Sequence, residues 1–397
     1  MKLLRRALCA AAATLALGTA AHADPLSTPA MSSTLSANAK PNSFDAGPFG
    51  KIYVTGALSG LVNGQTNTVT PNIANPAAVN DKDWFGDLSN AQVFVQKTDG
   101  PVQFFLEAGA YSLPSLGVPY AHNVDSKNVE NSTFGYLPVA YVKLQPTAEF
   151  SIEAGKLPTL VGAEYTFTFQ NINVNRGLLW NLEPAVSRGV QANYAKGPLT
   201  VSVSLTDGYY SNRYNWLTGL ISYAVTPKDT LAVVGGGNLG TTPKSTFATI
   251  PALNNGQIYN VLYTHTEGKW VFNPYFQYSH TDANTDPALP GGGWAHASST
   301  WGFAGLVKYQ VNSDWSLGAR AEYVKQTGTK GDPLAPVLLY GPGSDAWSIT
   351  VTPTYQHGIL FVRADGAYVH ANTAIFGPGG LSDKNQFRFT GEAGVLF

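Results

Sequence analysis

Cysteine is almost absent: the chain of 397 residues has one, Cys9. It lies in the first 23 residues, so a mature chain without them can hold neither a disulfide nor a thiolate metal site. Charge is scarce as well, at 12% of residues, against about 25% in ordinary soluble domains. Removing Lys2, Arg5 and Arg6 from 24 basic residues leaves 21 against 25 acidic ones, a net charge of −4 with neutral His. That balance excludes the basic surface on which nucleic-acid binding depends. Long apolar runs are also missing. Ala7 to Ala21 is too short for a membrane-spanning helix, nothing comparable follows, and mean hydropathy is only −0.06. No H-E-x-x-H spacing, no G-x-S-x-G elbow and no phosphate-binding glycine loop occurs. Gly235-Gly236-Gly237 leads from one strand pattern into another, not into a helix. The six His beyond residue 23 (His122, His265, His280, His296, His357 and His370) stand at turns or loops without metal-ligand spacing. No enzyme, cofactor or metal is therefore expected.

What is present starts with an export signal. Lys2, Arg5 and Arg6 precede the apolar segment, and Ala21-His22-Ala23 offers a cleavage site before Asp24. Residues 24–50 are rich in Ser, Thr, Ala, Asn and Pro without periodicity, which predicts a disordered lead-in on the periplasmic side. The remainder, 51–397, combines 41 Gly in the whole chain and 12% aromatics with few charges. That composition suits strands that are apolar on one face only.

The terminal stretch KNQFRFTGEAGVLF alternates between an apolar face and a mostly polar one, with Gly394 and Leu396 on the polar parity. Phe387, Phe389, Gly391, Ala393, Val395 and Phe397 share one parity, and Arg388, Thr390 and Glu392 lie on the other. The same period-two pattern predicts about sixteen strands, starting near Lys51, Leu88, Val102, Tyr136, Ala148, Ser187, Leu199, Asn215, Thr230, Gln257, Trp270, Ser299, Asp314, Ala346, Ile359 and Lys384. Their connections alternate short and long. KTDGP, LQPTAE, AKGP, TPKD, TEGK, VNSD and QHG are tight-turn sequences, while Val62 to Asp87 and His280 to Ser298 are long and polar. The expected fold is thus all-β: a transmembrane antiparallel up-and-down barrel with short periplasmic turns and long extracellular loops. A terminal strand that runs to its last residue suits a barrel whose last strand must pair with its first.

Parity also separates lipid from lumen, because a charge on the lipid face near the midplane costs about 2–4 kcal/mol. It places Glu107, Lys143, Glu153, Lys308, Arg320, Glu322, Arg363, Asp365, Arg388 and Glu392 on the lumen wall. Arg320 with Glu322, and Arg363 with Asp365, are the expected close partners. Trp270, Trp301, Trp315 and Trp347 fall near strand ends on the lipid parity, as an aromatic girdle would.

The run EAGKLPTLVGAEYTF…RGLLWNLEPAVSRGVQANY, Glu153 to Tyr194, carries G-K-x-P-T-x-x-G-x-E followed by two Arg-Gly pairs. With the export signal and the terminal Phe strand, it resembles the OmpL-like β-barrel porin family of Gram-negative bacteria. The resemblance implies an outer-membrane channel and names no solute. The connection Leu157 to Val186 follows the fifth strand, a position similar to that of the inward loop of sixteen-stranded trimeric porins. It is expected to constrict the pore with Glu164, Arg176 and Glu183; an ordinary external loop or an extra strand is the alternative. Arg188 shares the lipid parity. Small hydrophilic solutes and ions are the expected cargo. Expected partners are outer-membrane lipid and lipopolysaccharide, and the barrel-assembly machinery through the strand ending at Phe397; a homo-oligomer remains open. Two other readings stand beside diffusion. One is a sugar- or carboxylate-selective channel with Tyr209, Tyr210, Tyr214 and Trp216 as a stacking track, and the other a structural or adhesive barrel with a closed lumen.

Overall fold

The computed structural model describes residues 32–68, 82–120, 130, 133–246, 248–376 and 382–397. The expected signal peptide, residues 24–31 and His122 lie outside them. A four-residue strand β1 (Asn42–Asp45) precedes sixteen barrel strands. The first eight are β2 (Lys51–Gln65), β3 (Trp84–Lys97), β4 (Val102–Tyr111), β5 (Val139–Leu144), β6 (Phe150–Pro158), β7 (Val186–Lys196), β8 (Leu199–Thr206) and β9 (Trp216–Ala224). The others are β10 (Asp229–Asn238), β11 (Gln257–Glu267), β12 (Trp270–Thr281), β13 (Ser298–Gln310), β14 (Trp315–Gln326), β15 (Asp345–His357), β16 (Leu360–Ala371) and β17 (Asn385–Leu396). Each pairs antiparallel with its neighbours in sequence. No helix among the described residues is long and apolar enough to cross a membrane, and the strands need none.

The barrel closes where the terminal strand predicts. β17 pairs with β2 from Arg388 opposite Gln65 to Leu396 opposite Ala57. The ladder then runs to the last residue, since Phe397 N donates to Gly56 O at 3.0 Å and Gly56 N to Phe397 O at 2.8 Å. Beyond that point β1 pairs with β2, Asn42 opposite Val54 through Asp45 opposite Lys51. The stretch of β2 that the last strand cannot reach is therefore not left as a bare edge.

Faces follow the alternation. On β14, Trp315, Leu317 and Ala321 are exposed outward while Ser316, Gly318, Arg320 and Glu322 are buried inward. Two aromatic belts mark the membrane boundaries. Trp270 with Tyr309 and Trp315 with Tyr355 lie near the short turns, and Trp301 with Tyr323 and Trp347 with Tyr368 near the long loops.

Three details differ from the sequence reading. β3 begins at Trp84, not near Leu88. β5 is only six residues long and begins at Val139, not near Tyr136; Tyr136 still accepts from Gly109 N at 2.8 Å, so the ladder persists there without regular strand geometry. The lead-in is not structureless from Ser32 onward. Ser33, Thr34 and Leu35 are buried, and β1 follows.

Candidate functional site

The segment between β6 and β7, residues 159–185, turns into the barrel and lies along the inner wall formed by β11 to β17. Two short 3-10 turns, Thr168–Gln170 and Trp180–Leu182, punctuate it. At its start Gly162 has φ 80, a left-handed conformation that glycine adopts without strain. A Cβ there would stand 1.9 Å from Glu183 Oε2, so the motif glycine allows both ends of the segment to meet. Gly162 N also donates to Asn260 Oδ1 at 3.3 Å on β11.

The wall holds the backbone of this segment with charges. Arg320 Nη1 donates to Asn175 O at 2.8 Å and Arg363 Nη1 to Asn171 O at 2.9 Å. In the opposite sense, Glu322 Oε2 accepts from Leu178 N at 2.8 Å and Leu179 N at 3.2 Å. Asp365 accepts from Val174 N at 3.0 Å and Asn175 N at 2.7 Å. Hydrogen bonds to charged groups each contribute about 1.5–3 kcal/mol, so this stretch is a fitted part of the interior.

The charges also satisfy one another. Glu164 bonds Arg320 at 2.5 Å and accepts from Gly177 N at 2.8 Å. Arg320 Nε lies 3.4 Å from Glu322, as expected. Arg363 instead pairs with Glu392 at 2.7 Å, not with Asp365. The register places Arg363 directly opposite Glu392 on β17, and Asp365 is taken by the loop amides. Thr168 Oγ1 donates to Glu392 Oε1 at 2.7 Å. Arg388 Nη1 reaches Ser115 O at 2.7 Å and Asn175 Oδ1 at 3.2 Å. Arg176 Nη1 donates to Thr166 O, and its guanidinium lies 4.5 Å from the centre of the Trp180 ring.

Glu164, Arg176 and Glu183 are 1%, 0% and 6% exposed. The sequence reading expects them at the constriction; the structure buries them, with Glu164 turned to Arg320 and Arg176 to Thr166 O. Glu183 sits beside the Tyr275 hydroxyl at 3.4 Å. Of the other wall residues, Glu107 accepts from Gln92 Nε2 at 2.7 Å, and Lys308 Nζ donates to Ser33 O at 2.7 Å. Lys143 lies 3.9 Å from Glu153, their side chains 20% and 6% exposed. Gln103, Tyr141 and Asn193, beside Lys143 on the β4–β7 side, are half-buried.

Two interior elements had no sequence signal. A second stretch, 114–120, enters beside the first: Leu116 N donates to Arg176 O at 2.9 Å and Arg176 N to Pro114 O at 3.1 Å. Residues 32–36 are the other. An apolar ring chain also runs across the lumen face, from Phe169 to Phe94 (5.4 Å), Phe105 (6.2 Å) and Tyr141 (5.9 Å). The proposed stacking track does not form. Tyr209 packs edge-on against Trp216 at 5.3 Å, both buried, with its hydroxyl on Leu182 O. Tyr210 lies over the Arg188 guanidinium at 3.9 Å, and Tyr214 is exposed. Arg188 keeps the lipid parity and is paired with Asp207 at 2.7 Å.

A family model described as "Putative beta-barrel porin-2, OmpL-like" matches residues 51–397. No curated protein matches the chain by sequence. Among solved structures, OmpT of Vibrio cholerae superposes with a TM-score of 0.55 at 14% identity, over 90% of this chain and 100% of that one. An anion-selective porin from Comamonas acidovorans gives 0.56 at 10%, covering 87% and 99%. The outer membrane channel DcaP of Acinetobacter baumannii gives 0.53 at 10%, covering 87% and 97%. At these identities the likeness is one of fold. The family match spans the whole barrel, and the chain belongs to the OmpL-like β-barrel porins.

Proposed function

We propose that this porin is a passive outer-membrane channel for small hydrophilic solutes and ions, narrowed by residues 157–186. What supports the narrowing is the clamp itself: wall arginines bond the segment's carbonyls and wall carboxylates its amides. A segment held so on its backbone keeps a fixed cross-section. Within the clamp, Arg176, Arg320, Arg363 and Arg388 stand against Glu164, Glu322, Asp365 and Glu392, four charges of each sign held between segment and wall. Weak ion selectivity follows, set by the side chains that water reaches, Lys143 foremost. Planar-bilayer recording tests this: ohmic steps with a reversal potential near zero in a salt gradient are expected, and silence would refute the channel.

The surroundings belong to the same proposal. The outward apolar face and two aromatic belts suit outer-membrane lipid and lipopolysaccharide. A final ladder pair at Phe397 suits recognition by the barrel-assembly machinery. A trimer form is known for Vibrio cholerae OmpT, and a homo-oligomer is proposed here on that likeness.

A further inference from the structure

We propose that residues 32–36 form an internal strap that narrows the periplasmic half of the lumen. This rests on the channel reading, and it adds a second, releasable obstruction made by the chain's own amino-terminal segment.

The strap lies between two partners and bonds both. Toward the inward segment, Ser32 N donates to Gln170 O at 3.0 Å and Ser33 Oγ to Asn171 O at 3.0 Å. Toward the β13–β15 wall, Lys308 Nζ donates to Ser33 O at 2.7 Å and Ser316 Oγ to Thr34 O at 3.2 Å. The hydroxyls of Thr34 and Thr354 are 2.9 Å apart. Gln356, beside the β15–β16 turn, brackets Ser36, accepting from its N–H at 2.7 Å and donating to its carbonyl at 2.9 Å. The contacts thus run from the periplasmic rim inward. Leu35, 3% exposed, seats in one apolar cluster with Phe94, Phe105 and Phe169. Phe167, Val186, Phe361 and Leu396 share that cluster, and Leu35 adds an apolar side chain that helps to keep it from water.

Its chemistry makes the strap the weaker of the two obstructions. The sequence Ser32-Ser33-Thr34-Leu35-Ser36 carries no charge. Its polar bonds are between neutral groups except that of Lys308, whereas the inward segment is held by several charges. Water can replace neutral bonds at small cost. A strap that leaves remains tethered, because β1 is paired to β2. Release would therefore widen the periplasmic mouth while the inward segment stays in place.

Cys9, in the expected signal peptide, is the one cysteine of the sequence, so Thr34→Cys with Thr354→Cys places one addressable pair where the native hydroxyls stand 2.9 Å apart. Single-channel conductance would be recorded for the native barrel, for this pair oxidised and reduced, and for a chain lacking residues 32–36. The oxidised pair is expected to conduct less than the native barrel, reduction to restore native steps, and deletion to enlarge the steps severalfold. Equal conductance in all four states would overturn the strap, as would failure of the disulfide to form in folded, heat-modifiable barrel. Should the deletion not assemble, the oxidised and reduced pair decides alone. Silence in every state, reduced and deleted included, would overturn the channel reading and the strap with it.

Discussion

At the scale of single residues, the interior depends on groups that leave no room for alternatives. A Cβ on Gly177 would stand 2.5 Å from Glu322 Oε2 and 2.8 Å from Glu164 Oε2. Gly177→Ala is therefore expected to push the segment off its wall, lowering the heating temperature at which the folded form disappears on semi-native gels. Arg320 touches Glu164, Glu322 and Asn175 O together. Replacing it with Met keeps much of the volume and leaves two buried carboxylates facing each other. The expected loss is about 3–5 kcal/mol, because breaking a buried pair strands the partner's charge. Arg320→Met with Glu164→Met should cost clearly less than the sum of the two single changes, as contacting residues do not add. Additive losses in thermal unfolding would mean that the two side chains are not coupled.

At the scale of elements, the terminal strand carries closure. Deleting Phe397 removes the last paired residue of the β17–β2 ladder, and a charged residue there would bring charge to the closing seam. Either change should reduce the heat-modifiable barrel recovered from outer membranes and leave material in the periplasm; wild-type recovery would contradict this. The strands themselves were legible because the outward face is enforced by lipid at every second residue. On β15, Trp347, Ile349 and Val351 could be assigned outward, and Ser348, Thr350 and Thr352 inward, from alternation alone. Alternation cannot report register between strands, so it offers Arg363 the neighbouring Asp365, two residues away, and not Glu392 across the ladder. The inward direction of the 157–186 segment is expected only from its likeness in position to the inward loop of trimeric porins, with an external loop or an extra strand as the alternative. Its path is not legible in the sequence, because its partners Arg320, Arg363 and Asp365 lie more than a hundred residues away. Residues 32–36 leave no mark in the sequence for a related reason: Ser and Thr without periodicity read as unstructured unless the wall that bonds them is known.

At the scale of the whole molecule, charges are gathered inside, and most of those between segment and wall are paired there. An ion in the lumen is affected most by groups that water reaches and least by those locked between segment and wall. Lys143→Glu should thus shift the reversal potential toward cation preference, while Arg176→Gln should shift it much less. Equal shifts would mean that Arg176 faces the passage. The width of that passage is the central matter, and single-channel conductance of the native barrel against one with residues 164–177 replaced by a short Gly-Ser bridge measures it most directly. The expected result is ohmic steps in both, larger in the shortened form at the same salt, with the barrel still heat-modifiable. Steps of equal size in a folded shortened barrel would contradict a channel narrowed by its inward segment.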